Sequence, residues 1–133
     1  MAYRGPVRRW DVFWADLEPG VGHEQKGTSR PVIVVSNDGF NEHSRMVTVV
    51  PATKLDGKVR SAYPFEVLLP RGTLTPKHAS IAMPHQIRSI SSLRLLEKIT
   101  QVHDQALRID IENRLLEHLG IEFEAEELGP PLG

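Results

Sequence analysis

Residues 22–31 read Gly22-His23-Glu24-Gln25-Lys26-Gly27-Thr28-Ser29-Arg30-Pro31, and the apolar run Val32-Ile33-Val34-Val35 follows at once. A glycine-flanked polar loop holding a carboxylate, an amide and a guanidinium thus ends at the mouth of a segment that reads as buried strand. Pro31 fixes its own φ and biases Arg30 toward extended backbone, so the charged group is presented at a set place. A guanidinium is a permanent cation whose planar fork of N–H donors matches two oxygens of a phosphate. Loops fixed on a rigid sheet are where binding and chemistry collect. The function is expected here.

Other chemistry-bearing residues are scattered. The six histidines (His23, His43, His78, His85, His103 and His118) show no helical or zinc-finger pairing, and Cys is absent. No metal site, disulfide or cofactor is expected from that set. His23 stands beside the loop, where an imidazole could act as a base, but a polar loop residue is the simpler reading. Ser36, Ser44 and Ser91 lack a nucleophile-elbow context, and Gly20-Val21-Gly22 is too short for a nucleotide-binding fingerprint.

The elements that must position Arg30 are short. Residues 10–16 alternate as a first strand, 31–36 form a β-branched second strand apolar on both faces, and Asn37-Asp38-Gly39 signals a turn. Residues 46–52 make a third strand, in which Pro51 suggests an edge or a bulge. Further strands are expected at 64–69, 80–83, 86–90 and 97–102, with a single helical turn around Leu93, Leu95 and Leu96. The one long helix starts at an Asp104 N-cap, repeats Leu107, Ile111, Leu115 and Leu119, and stops at Gly120. Residues 1–9 read as a loose basic arm. Many strands followed by one helix predict a mainly β, α+β domain: an antiparallel barrel or sandwich closed by the helix.

A chain of 133 residues, 40% hydrophobic and 25% charged, suits one globular domain, expected at 1–121 with an acidic, Gly/Pro-rich, disordered tail at 122–133. No apolar run is long enough to span a bilayer and residues 1–10 lack a signal-peptide centre, so no membrane partner and a cytoplasmic location are expected. The net charge of −1 hides an asymmetry: residues 1–96 carry 13 Lys/Arg against 8 Asp/Glu, and residues 97–133 carry 3 against 9. A basic body suits a polyanionic partner, although an unevenly charged solvated surface would look the same in composition.

Four stretches together resemble the MazF/PemK (Kid) toxins over residues 8–121. They are the Gly22-His23-Glu24-Gln25-x-Gly27 loop with Arg30-Pro31, Val50-Pro51-Ala52-Thr53, Tyr63-Pro64-Phe65-Glu66-Val67, and Gln86-Ile87-Arg88-Ser89-Ile90. Where that family usually places one residue between the loop glycine and the arginine, this chain has two, Thr28 and Ser29. The resemblance implies a small SH3-like antiparallel β-barrel of the CcdB/MazF type with short helices and a C-terminal helix. It implies a homodimer and a sequence-specific, metal-independent endoribonuclease acting on single-stranded RNA as the toxin of a type II toxin-antitoxin system. It also implies a cognate antitoxin that covers the RNA groove with an acidic, disordered segment.

In that chemistry the substrate 2′-OH attacks phosphorus, giving a 2′,3′-cyclic phosphate and a 5′-OH. The resemblance makes Arg30 and Thr53 the catalytic pair, and Glu24, Gln25, Lys54, Ser80, Gln86 and Arg88 candidates for substrate contact. Glu24 and Gln25 either shape the loop or read base edges. Trp10, Phe13 and Trp14 lie near the loop in sequence, where core packing is expected of them rather than base stacking. The rival class is a CcdB-like toxin that inhibits DNA gyrase by protein binding and cuts nothing. The residues 129–133, Gly-Pro-Pro-Leu-Gly, offer no large aromatic for such an end.

Overall fold

β-Branched runs at the centre of the chain are buried on both faces, and this sets the architecture. The computed structural model describes residues 2–55 and 62–122. Its strands are β1 (Asp11–Ala15), β2 (Arg30–Val34), β3 (Met46–Lys54), β4 (Val67–Leu69), β5 (Ser80–Ala82), β6 (Arg88–Ser91) and β7 (Leu95–Gln101). The helices are α1 (Asp38–His43) and α2 (Gln105–His118), with 3-10 turns at Pro84–Gln86 and Ser92–Arg94. The seven strands form one sheet in the order β4-β5-β3-β2-β1-β7, and β6 pairs with β3. All pairings are antiparallel. The fold is mainly β with a closing C-terminal helix.

β3 is the hub. Along one edge it pairs with β2, and along the other first with β6 (Met46 to Val49) and then with β5 (Ala52 to Lys54). Pro51, expected at an edge or a bulge, sits where β3 passes from one of those partners to the other. A residue without an N–H fits where the ladder changes hands, and its carbonyl still accepts from Met83 N at 2.9 Å.

Two apolar clusters cover the two faces of the central strands. Val12, Ile33, Val50 and Ala52 pack with Val67, Leu69, Leu74, Val102 and Ile111 of α2. Phe13, Ala15, Leu17, Val32, Val34, Val47, Val49, Ile90 and Leu95 form the second cluster. Double coverage explains why β1 is not the half-exposed alternating strand its sequence suggests: of its five residues, Trp14 alone is not buried. Each fully buried side chain of the size of Phe13 or Ile33 contributes about 1.5–3 kcal/mol.

Four local expectations are corrected. The arm at 2–9 is packed rather than loose: Tyr3 N donates to Leu95 O at 2.7 Å, its ring meets Phe13 edge-on at 4.7 Å, and Arg9 pairs with Glu112 at 3.1 Å. Asn37 is not a turn residue but the N-cap of α1, its side chain accepting from Phe40 N. The strand expected at 64–69 shortens to Val67–Leu69, because Glu66 N donates to Tyr63 O and Tyr63 N to the Glu66 carboxylate. Leu119, last of the helical repeat, is exposed, since it lies past the end of the packed helix. Asp104 caps α2 as expected, accepting from Ala106 N and Leu107 N. Among the described residues no helix is long and apolar enough to cross a membrane. The tail expected at 122–133 lies, from 123 onward, outside the described residues, as does the basic stretch 58–61.

Candidate active site

Residues 16–29 join β1 to β2, far longer than a hairpin turn requires, and they are held by their own polar groups. At the base, Leu17 is fully buried and its N–H donates to Gly27 O at 2.8 Å. Arg94, which sequence reasoning passed over, donates Nη1 to the carbonyls of Asp16 and Glu18. It belongs to no motif, so no local signal marked it.

At the tip, Glu24 folds back so that Oε1 accepts from Val21 N at 2.8 Å, while Glu24 N donates to Val21 O. Glu24 therefore shapes the loop. Lys26 Nζ donates to Gly22 O at 3.2 Å. Gln25 contributes its backbone: its N–H donates to Gln86 Oε1 at 3.1 Å, and Gln86 Nε2 donates to His23 O at 3.0 Å. Both ends of the Gln86 amide thus hold the loop, where a substrate contact was expected.

Arg30 opens β2, half-buried and opposite Ala15. Its Nε donates to Lys26 O at 2.7 Å. Its two terminal nitrogens have no partner among the described residues, and Glu24, the obvious carboxylate, is turned to Val21 instead. Gly27, at φ +131°, makes room: a Cβ there would stand 2.6 Å from Arg30 Nε. The guanidinium is aimed by its inner nitrogen and open at its fork.

Strand register decides which other candidates share its face. The β2–β3 ladder runs Val34–Val49, Ile33–Val50, Val32–Pro51. Arg30 and Thr53 each lie two residues beyond the last pair of that ladder and carry the parity of Val32 and Pro51. Arg88 pairs with Val49 and so takes the same parity, and its Nη1 is buried without a hydrogen-bond partner. Lys54 and Ser80 are paired with each other on the opposite parity, with Ala52 and Ala82. Ser80, an expected substrate contact, is buried, whereas Lys54 is exposed. Phe13 and Trp10 are core residues, as expected.

His85, next to Gln86, lies edge-on to Phe65 with ring centroids 4.6 Å apart. Burial holds its pKa below the ordinary 6.5; the Glu66 carboxylate pulls it up and His118 pushes it down. Among the described residues no group of three or more His, Cys, Asp or Glu side chains is placed to hold a metal ion. A cleft of about 700 Å³ opens elsewhere, between the arm and α1, and none of the expected site residues lines it. The candidate site is the fork of Arg30, open among the described residues.

A mainly β protein thus holds an arginine whose terminal nitrogens are open among the described residues, on a strand face whose parity Thr53 shares. The model of one family, the PemK-like, MazF-like toxins of type II toxin-antitoxin systems, matches residues 8–119, and the chain belongs to that family. Endoribonuclease MazF of Staphylococcus epidermidis is 35% identical over 115 residues, 86% of this chain and 92% of that protein. The crystal structure of MazF (Form-I) from Deinococcus radiodurans is similar with a TM-score of 0.73 at 24% identity, covering 89% of this chain and 100% of that one. An endoribonuclease in complex with its cognate antitoxin, from a mycobacterial species, gives 0.70 at 21%, covering 89% and 99%. These structures share the fold.

Proposed function

We propose that this chain is a sequence-specific endoribonuclease that cleaves single-stranded RNA without a metal and serves as the toxin of a toxin-antitoxin pair. The observation that carries the reading is the state of Arg30, aimed through Nε by Lys26 O and open at both terminal nitrogens among the described residues. Family membership and the relative named as an endoribonuclease support it. With it go a homodimer, a cytoplasmic site of action and an antitoxin whose acidic, disordered segment competes for the same cationic face, as the family resemblance implies.

The 2′-OH oxygen adjacent to the scissile bond attacks phosphorus, the bond to the 5′-oxygen breaks, and the products carry a 2′,3′-cyclic phosphate and a 5′-OH. Arg30 grips two non-bridging oxygens with its fork as their negative charge grows, and its N–H can donate toward the leaving 5′-oxygen. The Thr53 hydroxyl donates to one of the same oxygens. Arginine stays protonated, so the 2′-OH proton passes to solvent or to a substrate oxygen, and the leaving 5′-oxygen takes its proton from solvent while Arg30 hydrogen-bonds to it. Arg88, on the same face, meets a neighbouring phosphate, and exposed Lys54 adds to the cationic surface. Glu24 and Gln25 shape the loop.

The test is a long single-stranded RNA incubated with the protein in EDTA, with both new ends mapped. Cyclic phosphate and 5′-OH ends at a short repeated sequence are expected. Arg30→Ala should lower kcat by about 10²–10³-fold, the usual loss of a transition-state donor, and Arg30→Lys should recover little because the fork is gone. Intact RNA, or cutting that persists at the wild-type rate in Arg30→Ala, defeats the reading.

A further inference from the structure

We infer that Gln86 is a positioning residue: its amide bolts the Arg30 loop to the turn between β5 and β6, and the recognised bases are read elsewhere. This rests on the endoribonuclease reading. Gln86 ends the turn Pro84–Gln86, which is itself fixed to the sheet. Met83 N donates to Pro51 O at 2.9 Å, Gln86 N to Met83 O at 2.9 Å and Ile87 N to Pro84 O at 3.1 Å, and β6 begins one residue later. Pro84 is buried and restricts φ at the start of the turn. Through Met83 the anchor is hydrogen-bonded to β3, the strand that carries Thr53.

From that anchor the side chain reaches across 61 and 63 residues of sequence to Gln25 N and His23 O. Among the described residues, only these two bonds and the one from Arg30 Nε to Lys26 O reach residues 20–26 from outside the loop. One peptide unit separates Gln25 N–H from Lys26 C=O, and Lys26 O is the acceptor that aims Arg30. Fixing Gln25 therefore fixes the carbonyl that points the guanidinium. A carboxamide suits this position because it presents an acceptor and a donor a fixed distance apart. Removing it frees the tip while leaving the backbone bonds of the turn intact.

The experiment compares wild type, Gln86→Ala and Gln86→Glu as folded full-length proteins, with thermal unfolding as the check on folding. In RNA-free protein, amide exchange at Gln25 should accelerate about fivefold or more in Gln86→Ala, since one net hydrogen bond is worth about that factor. Protection should remain in Gln86→Glu, which keeps the acceptor. In single-turnover cleavage, Gln86→Ala should lose about 10²-fold in kcat, the usual result of a misplacement near 1 Å. Its KM and cleaved sequence should stay as in wild type, and Gln86→Glu should recover part of kcat. Unchanged Gln25 exchange in Gln86→Ala overturns the proposal. So does a Gln86→Ala protein with wild-type kcat and an altered cleavage sequence or raised KM, which would mark a direct base contact. If wild type cuts no RNA, the endoribonuclease reading fails by itself, and the exchange measurement still decides whether Gln86 holds the loop.

Discussion

Gly27→Ala places a single methyl where the Arg30 side chain now rests. Its Cβ would stand 2.6 Å from Nε, 3.1 Å from Cγ and 3.3 Å from Cδ, and the backbone φ of +131° is one that L-residues avoid. The conformational strain alone is of the order of 1–3 kcal/mol. Arg30 is half-buried and can swing aside, but only by giving up its 2.7 Å bond to Lys26 O. Should the backbone relax instead, the Leu17 N–Gly27 O bond at the base of the loop is the one distorted. Either way the fork leaves its preset aim. A loss of about 10²-fold in kcat, or about 2.7 kcal/mol on the barrier, is expected, with thermal stability down by about 1–3 kcal/mol. The assay is single-turnover cleavage of a fluorogenic RNA oligonucleotide carrying the mapped site, run beside thermal unfolding. Gly39→Ala is the control: in α1 its added Cβ meets Asn37 Oδ1 at 3.4 Å, an ordinary contact, and activity should hold. A Gly27→Ala enzyme cutting at the wild-type rate would show that the aim of Arg30 does not depend on the Lys26 carbonyl.

Two stability predictions follow from groups remote from Arg30. Asp11 is fully buried, and its carboxylate accepts from Arg8 N at 2.9 Å and Gln101 Nε2 at 3.1 Å and lies 3.2 Å from Lys98 Nζ. Asp11→Ala should cost about 2 kcal/mol through the partners left unpaired, lowering Tm by several degrees; an unchanged Tm contradicts this. His85 has its folded pKa depressed by burial. Below 6.5 the unfolded chain takes up a proton that the folded one resists, so stability is full above that pH and falls as pH drops toward the folded value. Thermal unfolding between pH 7.5 and 5 should show this slope, and His85→Gln should flatten it; an identical profile in the variant removes His85 as the cause.

The sequence alone determined the parts that local chemistry dictates. Pro31 after Arg30 and the β-branched run behind it define the start of β2; Asp104 and Gly120 bracket α2; and the ordered motifs around Arg30 and Thr53 are enough to place the family. Each depends on residues a few positions apart, where φ/ψ preference, capping and side-chain period act directly. Tertiary structure decided what depends on pairing over long separations. The arm at 2–9, polar enough to read as loose, is packed because Tyr3 finds Phe13 and Leu95. Ser80 is buried because β5 lies between β3 and β4. Gln86 holds the loop because the Pro84–Gln86 turn comes to rest beside residues 23–25. The register that puts Thr53 and Arg88 on the face of Arg30 is fixed by the β3 ladders, and a shift of one residue would turn each side chain to the other face. No local sequence preference encodes that choice; burial of Val32, Val34, Val49 and Ile90 in one cluster makes it.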